Sequence, residues 1–255
     1  MALALIVIAS VFIVDAVWIE PNWIEVTHSE IHGPVTAPLK IAHLSDIHTN
    51  GLGQREQRML EILDEEKPDL IVVTGDTLAT HAGDYTQCRK VYERLHAPLG
   101  VWVVHGNWEN WRPVKHEHAF YESAGVHLLV NASQPVRADV WVIGLDDPFS
   151  GIARLDTALA GVPRGVFTIA LFHSPFYFDL AAGQANLCLT GHTHGGQVRL
   201  PFLHPLWLPG GCGRYLDGWY EESGSQMYVS RGVGMSILPI RFLCRPEIAI
   251  ITVKP

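Results

Sequence analysis

One pattern recurs five times in this chain: an apolar, β-type run stops at a residue that can donate a lone pair. Ile41–Leu44, interrupted by His43, leads into Asp46-x-His48. Leu70–Val73 leads into Gly75-Asp76, and Val101–Val104 into His105-Gly106-Asn107. Phe167–Phe172 ends at His173, and Leu187–Thr190 opens into Gly191-His192-Thr193-His194-Gly195-Gly196. Buried parallel strands read as continuous apolar runs, and open α/β sheets gather ligands at the carboxyl ends of their strands. The chain is thereby held to an α/β fold in which these five ends meet. The glycines around His192 and His194 permit a turn tight enough to aim both imidazoles at one centre.

A lone histidine is as readily a hydrogen-bonded core residue as a ligand. Five strand ends that agree are a different matter, and they predict a metal site. Mixed carboxylate, imidazole and amide donors suit Mn, Fe, Zn or Co. More than four donors exceed one tetrahedral ion and imply two divalent metal ions sharing a bridge.

At 255 residues and 48% hydrophobic content, the chain can build one sizeable core. Its net charge of −8 argues against a general nucleic-acid binder, so no nucleic-acid partner is expected. Cys88, Cys188, Cys212 and Cys244 are too scattered for a zinc knuckle or an obvious disulfide frame. Residues 2–14 are small or apolar, and the run resumes after Asp15 through Ile19. This approaches the ~20 residues that span a bilayer. No Lys or Arg precedes Lys40, which disfavours a cleavable signal and leaves orientation unread. The expected organisation is a membrane anchor or signal segment over 1–20, a linker with an edge strand over 21–39, and a catalytic domain over 40–255. A buried core helix is the competing reading of the first segment.

Helical spacing predicts helices over Gln54–Glu66, Tyr85–Leu95 and Pro113–Ala124. Alternation predicts an edge strand at Trp23–Thr27, and further strands at Leu128–Asn131, Val140–Gly144, Met227–Ser230 and Glu247–Val253. The last two are expected to close a second sheet. His116 and His118 read as a solvated helix face, and Asp146-Asp147 as a cap rather than a catalytic pair. Residues 201–219 are too rich in Pro and Gly for a helix, and their Leu, Phe and Trp residues form an apolar loop beside the His-x-His turn. That loop reads equally as a wall for a greasy substrate or membrane-dipping edge and as self-packing.

Asp46-x-His48, Gly75-Asp76, Gly106-Asn107, His173 and Gly191-His192-Thr193-His194 resemble, in order and spacing, the blocks of the calcineurin-like metallophosphoesterases. Gly195-Gly196-Gln197-Val198-Arg199 and the tail Ser230-Arg231-Gly232-Val233-Gly234 to Arg245-Pro246-Glu247 are similar to the bacterial, often membrane-anchored YkuE/YaeI-like phosphodiesterase branch. The resemblance implies a four-layer α/β/β/α sandwich with two mixed β-sheets. It implies that Asp46, His48, Asp76 and His194 hold one metal, that Asp76, Asn107, His173 and His192 hold the other, and that Asp76 bridges. The expected activity is hydrolysis of a phosphodiester or pyrophosphate through a metal-bridging hydroxide, with Asp76 and Asn107 in the catalytic set. By the same resemblance the protein belongs at a bacterial cell membrane, on a side the sequence does not give.

One position departs from the family. The block is usually Gly-Asn-His, whereas this chain has Gly106-Asn107-Trp108-Glu109. That histidine is taken to protonate the leaving oxygen; an indole N–H cannot. Trp108 then becomes a substrate-contacting residue, and either good leaving groups are preferred or another acid serves, with His105 the nearest in sequence. UDP-diacylglucosamine hydrolases, which cleave a lipid-linked pyrophosphate, also lack that histidine, so a lipid-linked substrate is an expectation. The alternatives are a phosphomonoesterase or protein phosphatase, and a metal-binding module weakened by the loss of the acid.

Overall fold

The structure, a computed structural model, describes residues 2–79 and 85–255. Two six-stranded mixed sheets lie face to face. The first takes the order β1 (Glu25–His32), β12 (Glu247–Lys254), β2 (Leu39–Leu44), β3 (Leu70–Val73), β4 (Val101–Val103), β5 (His127–Leu128). The second takes the order β10 (Gly218–Glu222), β11 (Ser225–Val229), β9 (Leu187–Thr190), β8 (Phe167–Leu171), β7 (Val140–Gly144), β6 (Ala132–Arg137). β2 to β5 run parallel in the first sheet, and β7, β8, β9 and β11 in the second.

Period-two alternation builds the layers. Leu70 and Val72 of β3 point into the core between the sheets, where they meet Ile169, Leu171, Leu187 and Leu189. Ile71 and Val73 point the other way, into a core shared with α2 (Gln54–Glu66), α3 (Tyr85–Tyr92) and α5 (Glu117–Ser123). On the far side, Ala170 and Cys188 pack under α6 (Leu155–Leu159) and α7 (Phe178–Ala181). The result is the expected α/β/β/α sandwich. Helix α2 shows how local sequence serves it: Met59, Leu60, Ile62 and Leu63 form its buried stripe, and a left-handed Lys67 ends it before Pro68.

The last strand corrects the sequence reading. Glu247–Lys254 lies in the first sheet, parallel to β1 and antiparallel to β2, and does not close the second. Ile248 and Ile250 face the helices while Ala249, Ile251 and Val253 face the other sheet. Burial on both sides is what an unbroken apolar run asks for, but chain order does not say which sheet receives it. The expected helix over Pro113–Ala124 is also displaced. A short α4 (Asn107–Trp111) precedes Pro113, and α5 begins only at Glu117. β6 was not foreseen, because Pro135 and its neighbours hide an edge strand.

At the amino end, α1 covers Ala2–Val14 and is followed by a π-helical stretch, Asp15–Ile19, and a 3₁₀ turn, Glu20–Asn22. Among the described residues no helix is long and apolar enough to cross a membrane. Leu3, Ile6, Val7, Ile8, Val11, Phe12 and Ile13 are all exposed.

Candidate metal centre

The five strand ends converge as their sequence suggested. Asp46, His48, Asp76, Asn107, His173, His192 and His194 are all buried. Their donors fall into two groups, Asp46 with His48 and His194, and Asp76 with His173 and His192, each within 4.8 Å. His173 Nε2 lies 3.3 Å from Asp76 Oδ2 and 3.9 Å from Asp46 Oδ1. His48 Nε2 lies 3.7 Å from Asp76 Oδ2, so Asp76 sits between the groups.

Hydrogen bonds on the far side of the rings decide which nitrogen faces inward. His48 Nδ1 donates to the Leu78 carbonyl at 3.0 Å, and His173 Nδ1 to the Thr74 carbonyl at 2.7 Å. His192 Nε2 donates to the Gly210 carbonyl at 2.5 Å. Such contacts fix the tautomer of metal-binding histidines. They leave His192 Nδ1 and His173 Nε2 facing each other at 3.0 Å, and His48 Nε2 and His194 Nε2 at 3.3 Å. Lone pairs that close need a cation between them, a proton or a metal. Asp46 Oδ1 and Asn107 Oδ1 are buried without a hydrogen-bond partner, which is costly for polar atoms unless a ligand takes them up. The donor set fits two divalent ions.

The electrostatics point the same way. Burial alone would raise the Asp46 carboxyl, but His194, His173, His48 and the Ser45 hydroxyl outweigh it and hold Asp46 well below the usual range. Burial raises Asp76. Burial would lower His173, yet Asp76 and Asp46 overcome it and drive its pKa well above normal. Burial holds His194 well below its ordinary value, and burial with His173 brings His192 down to about 4, leaving both neutral and able to coordinate.

The backbone is bent to present these groups. Asp46, His48, Asp76, His192 and His194 all have left-handed φ, between 44° and 70°. Such residues cost roughly 1 kcal/mol or more each and persist where the surroundings enforce them. Glu109 is one enforcer. Its buried carboxylate accepts the backbone N–H groups of Asp76, Thr77, Leu78 and Gly106, at 2.8–3.0 Å. It also starts α4, whose Trp108 N–H donates to Asp76 Oδ1 at 2.9 Å. Gly106 is obligatory here, because a Cβ would stand 2.1 Å from that same oxygen. The tail is a second enforcer: Val233 N–H donates to Ser45 O at 2.9 Å and Gly234 N–H to Asp46 O at 2.6 Å. Arg241, fully buried, holds the tail by donating to the carbonyls of Gly234, Gly232, Arg231, Cys244 and Arg245. Sequence reasoning missed the roles of Glu109 and Arg241. Gly106 followed three residues later by Glu109 was the available signal for a capped helix.

The family model for calcineurin-like phosphoesterases matches residues 39–196. The chain belongs to the calcineurin-like phosphoesterases. As a member it is a phosphoric ester hydrolase. This phosphoesterase is 32% identical, over 93% of its length, to the uncharacterized metallophosphoesterase YkuE of Bacillus subtilis, and spans 88% of that protein. It is 29% identical to the phosphodiesterase YaeI of Escherichia coli, covering 91% of this chain and 89% of that one. Among solved structures, the 5'-nucleotidase precursor of Thermus thermophilus superposes with a TM-score of 0.50 at 15% identity over 77% of the phosphoesterase. The chain spans 49% of that structure, and the likeness extends to the fold alone.

One sequence candidate stands apart from the metal-facing donors. His105 turns its ring to other elements: Nε2 lies 3.4 Å from Glu117 Oε2 and Nδ1 3.8 Å from Asp146 Oδ1. Asp146 and Asp147 cap a turn, accepting Ile152 N–H and Ser150 N–H at 2.8 and 2.9 Å. Trp108, by contrast, lines a cleft of about 200 Å³ together with Asp76, Asn107, His192, His194 and Trp207. Its ring stacks edge-on to Trp111 at 5.3 Å, with the Arg112 guanidinium over it. His116 and His118 are exposed.

Proposed function

We propose that this phosphoesterase is a phosphodiesterase that uses two divalent metal ions, held by Asp46, His48, Asp76, Asn107, His173, His192 and His194. When bound, the ions supply positive charge at the phosphoryl oxygens and acidify water. Asp46 and Asp76 anchor the centre, and the Asn107 amide, fixed at the first turn of α4, reaches the same cleft. One observation carries the preference for a diester: the described residues lining the cleft include no Lys or Arg, and the neighbouring Arg112 guanidinium is stacked on Trp108. A phosphomonoester or protein phosphatase substrate brings a dianion, and a pyrophosphate a second phosphate; both want cationic side chains that this lining does not offer. A diester carries one charge. With Trp108 in place of a proton donor, esters whose leaving oxygen needs no protonation react best. His105 could act as the acid only by leaving Glu117 and Asp146.

We propose also that the enzyme sits at a membrane through residues 1–20 and acts on a lipid-linked substrate. The apolar side chains exposed around α1 support the first part, and the apolar rim of the cleft at Phe149, Trp111 and Trp207 the second.

Hydrolysis of bis(p-nitrophenyl) phosphate and p-nitrophenyl phosphate with Mn²⁺ tests the reaction class. The diester is expected to give the higher kcat/KM, by about tenfold or more, and Asp76→Ala to lose it. Faster monoester cleavage would overturn the preference. Turnover of neither ester by metal-loaded protein would favour the weakened binding module.

A further inference from the structure

We infer that the apolar groove beside the cleft is an acyl-chain subsite, so that the substrate is a phosphodiester carrying a long alkyl chain on the ester that is retained. This rests on the phosphodiesterase reading of the cleft. The groove has a volume of about 500 Å³ and is walled by Val198, Leu206, Trp207, Leu238 and Ile240. That is within the ~300–1,000 Å³ typical of small-molecule sites. It shares His194, Trp207, Ser236 and Ile237 with the cleft. A molecule whose phosphoryl group sits against the metal donors can therefore continue into the groove without leaving the protein.

The groove is preformed, and the side chains of Gln197 and Thr193 in its wall are already engaged. Gln197 Nε2 donates to the carbonyls of Leu238 and Ser236 at 2.8 and 3.2 Å, and its Oε1 accepts Ser236 N–H at 2.9 Å. Thr193 Oγ1 donates to the Leu216 carbonyl at 2.6 Å. Phe242 N–H donates to Gln197 O, and Arg199 N–H to Phe242 O. A peptide strand laid here would bring backbone N–H and C=O groups that find few partners, at a cost hydrocarbon does not incur. Exposed apolar residues and α1 lie close to the groove. Leu206 and Leu238 are 77% and 57% exposed, and Phe242 meets Phe12 of α1 edge-on at 5.7 Å. Phe242 is hydrogen-bonded to the groove-lining Gln197, so α1 lies beside the groove wall.

Calorimetric binding of dodecyl methyl phosphate and butyl methyl phosphate to the full chain, below their micellar concentrations, reads the subsite directly. Each buried CH₂ is worth at most roughly a fourfold gain, and the longer ester is expected to bind at least about a hundredfold tighter. Leu238→Asp and Leu206→Asp should each weaken the dodecyl ester by about tenfold or more. Leu180→Asp, at an exposed site on α7 outside the groove lining, should not. Equal affinity for both esters, or dodecyl binding indifferent to both groove variants, would overturn the subsite. Because binding is measured apart from hydrolysis, the two readings fail separately. Chain-length-dependent binding without diester cleavage would defeat the phosphodiesterase reading, and cleavage with no chain-length response would defeat the subsite.

Discussion

At the scale of single residues, the centre depends on groups that never touch a metal. Glu109 satisfies four buried N–H groups of the two loops that carry Asp76 and Asn107. Each stranded donor costs about 1–3 kcal/mol, so Glu109→Ala is expected to destabilise the fold by about 3 kcal/mol or more. Thermal melts would show the loss, and a melt unchanged from wild type would remove Glu109 from the role of clamp. Trp108 answers a different question. Restoring an acid with Trp108→His should raise turnover of alkyl diesters, whose leaving oxygen needs a proton, by about tenfold or more. Nitrophenyl diesters should change little. No gain on the alkyl esters would mean that the missing acid does not limit this enzyme.

At the scale of elements, the amino-terminal helices are wired to the site rather than merely attached. Glu20, buried in the turn after α1, accepts the N–H groups of Leu243 and Cys244, the former at 2.8 Å. Arg241 N–H donates to Ala16 O at 2.9 Å. Cys244 Sγ in turn donates to the carbonyl of His194 at 3.4 Å. Glu20→Ala should cost about 1–3 kcal/mol and lower the melting temperature by roughly 2–4 °C per kcal/mol. It should also weaken metal affinity, which a merely peripheral cap would leave alone. This tie was illegible in the sequence, because Glu20 and Cys244 are brought together only by the tertiary fold. The strand ends were legible, since each apolar run and its ligand are adjacent in sequence. β12 was legible as a strand but not as a member of the first sheet, because pairing partners are set by non-local packing. α4 was hidden by its brevity, although Gly106, Glu109 and Pro113 bound it.

At the scale of the whole molecule, the two sheets bring ligands from five strands to one edge, and the tail and Glu109 hold the loops in strained conformations. The divided donor set is the feature from which the chemistry follows. Asp46, His48 and His194 form one group, Asp76, His173 and His192 the other, with Asp76 between them. Electron paramagnetic resonance of protein titrated with Mn²⁺ tests this most directly. Two ions per chain are expected, giving the spin-coupled spectrum of a shared bridge, and Asp76→Ala should abolish the coupling. A single ion per chain, or two that remain magnetically independent, would contradict a dinuclear centre.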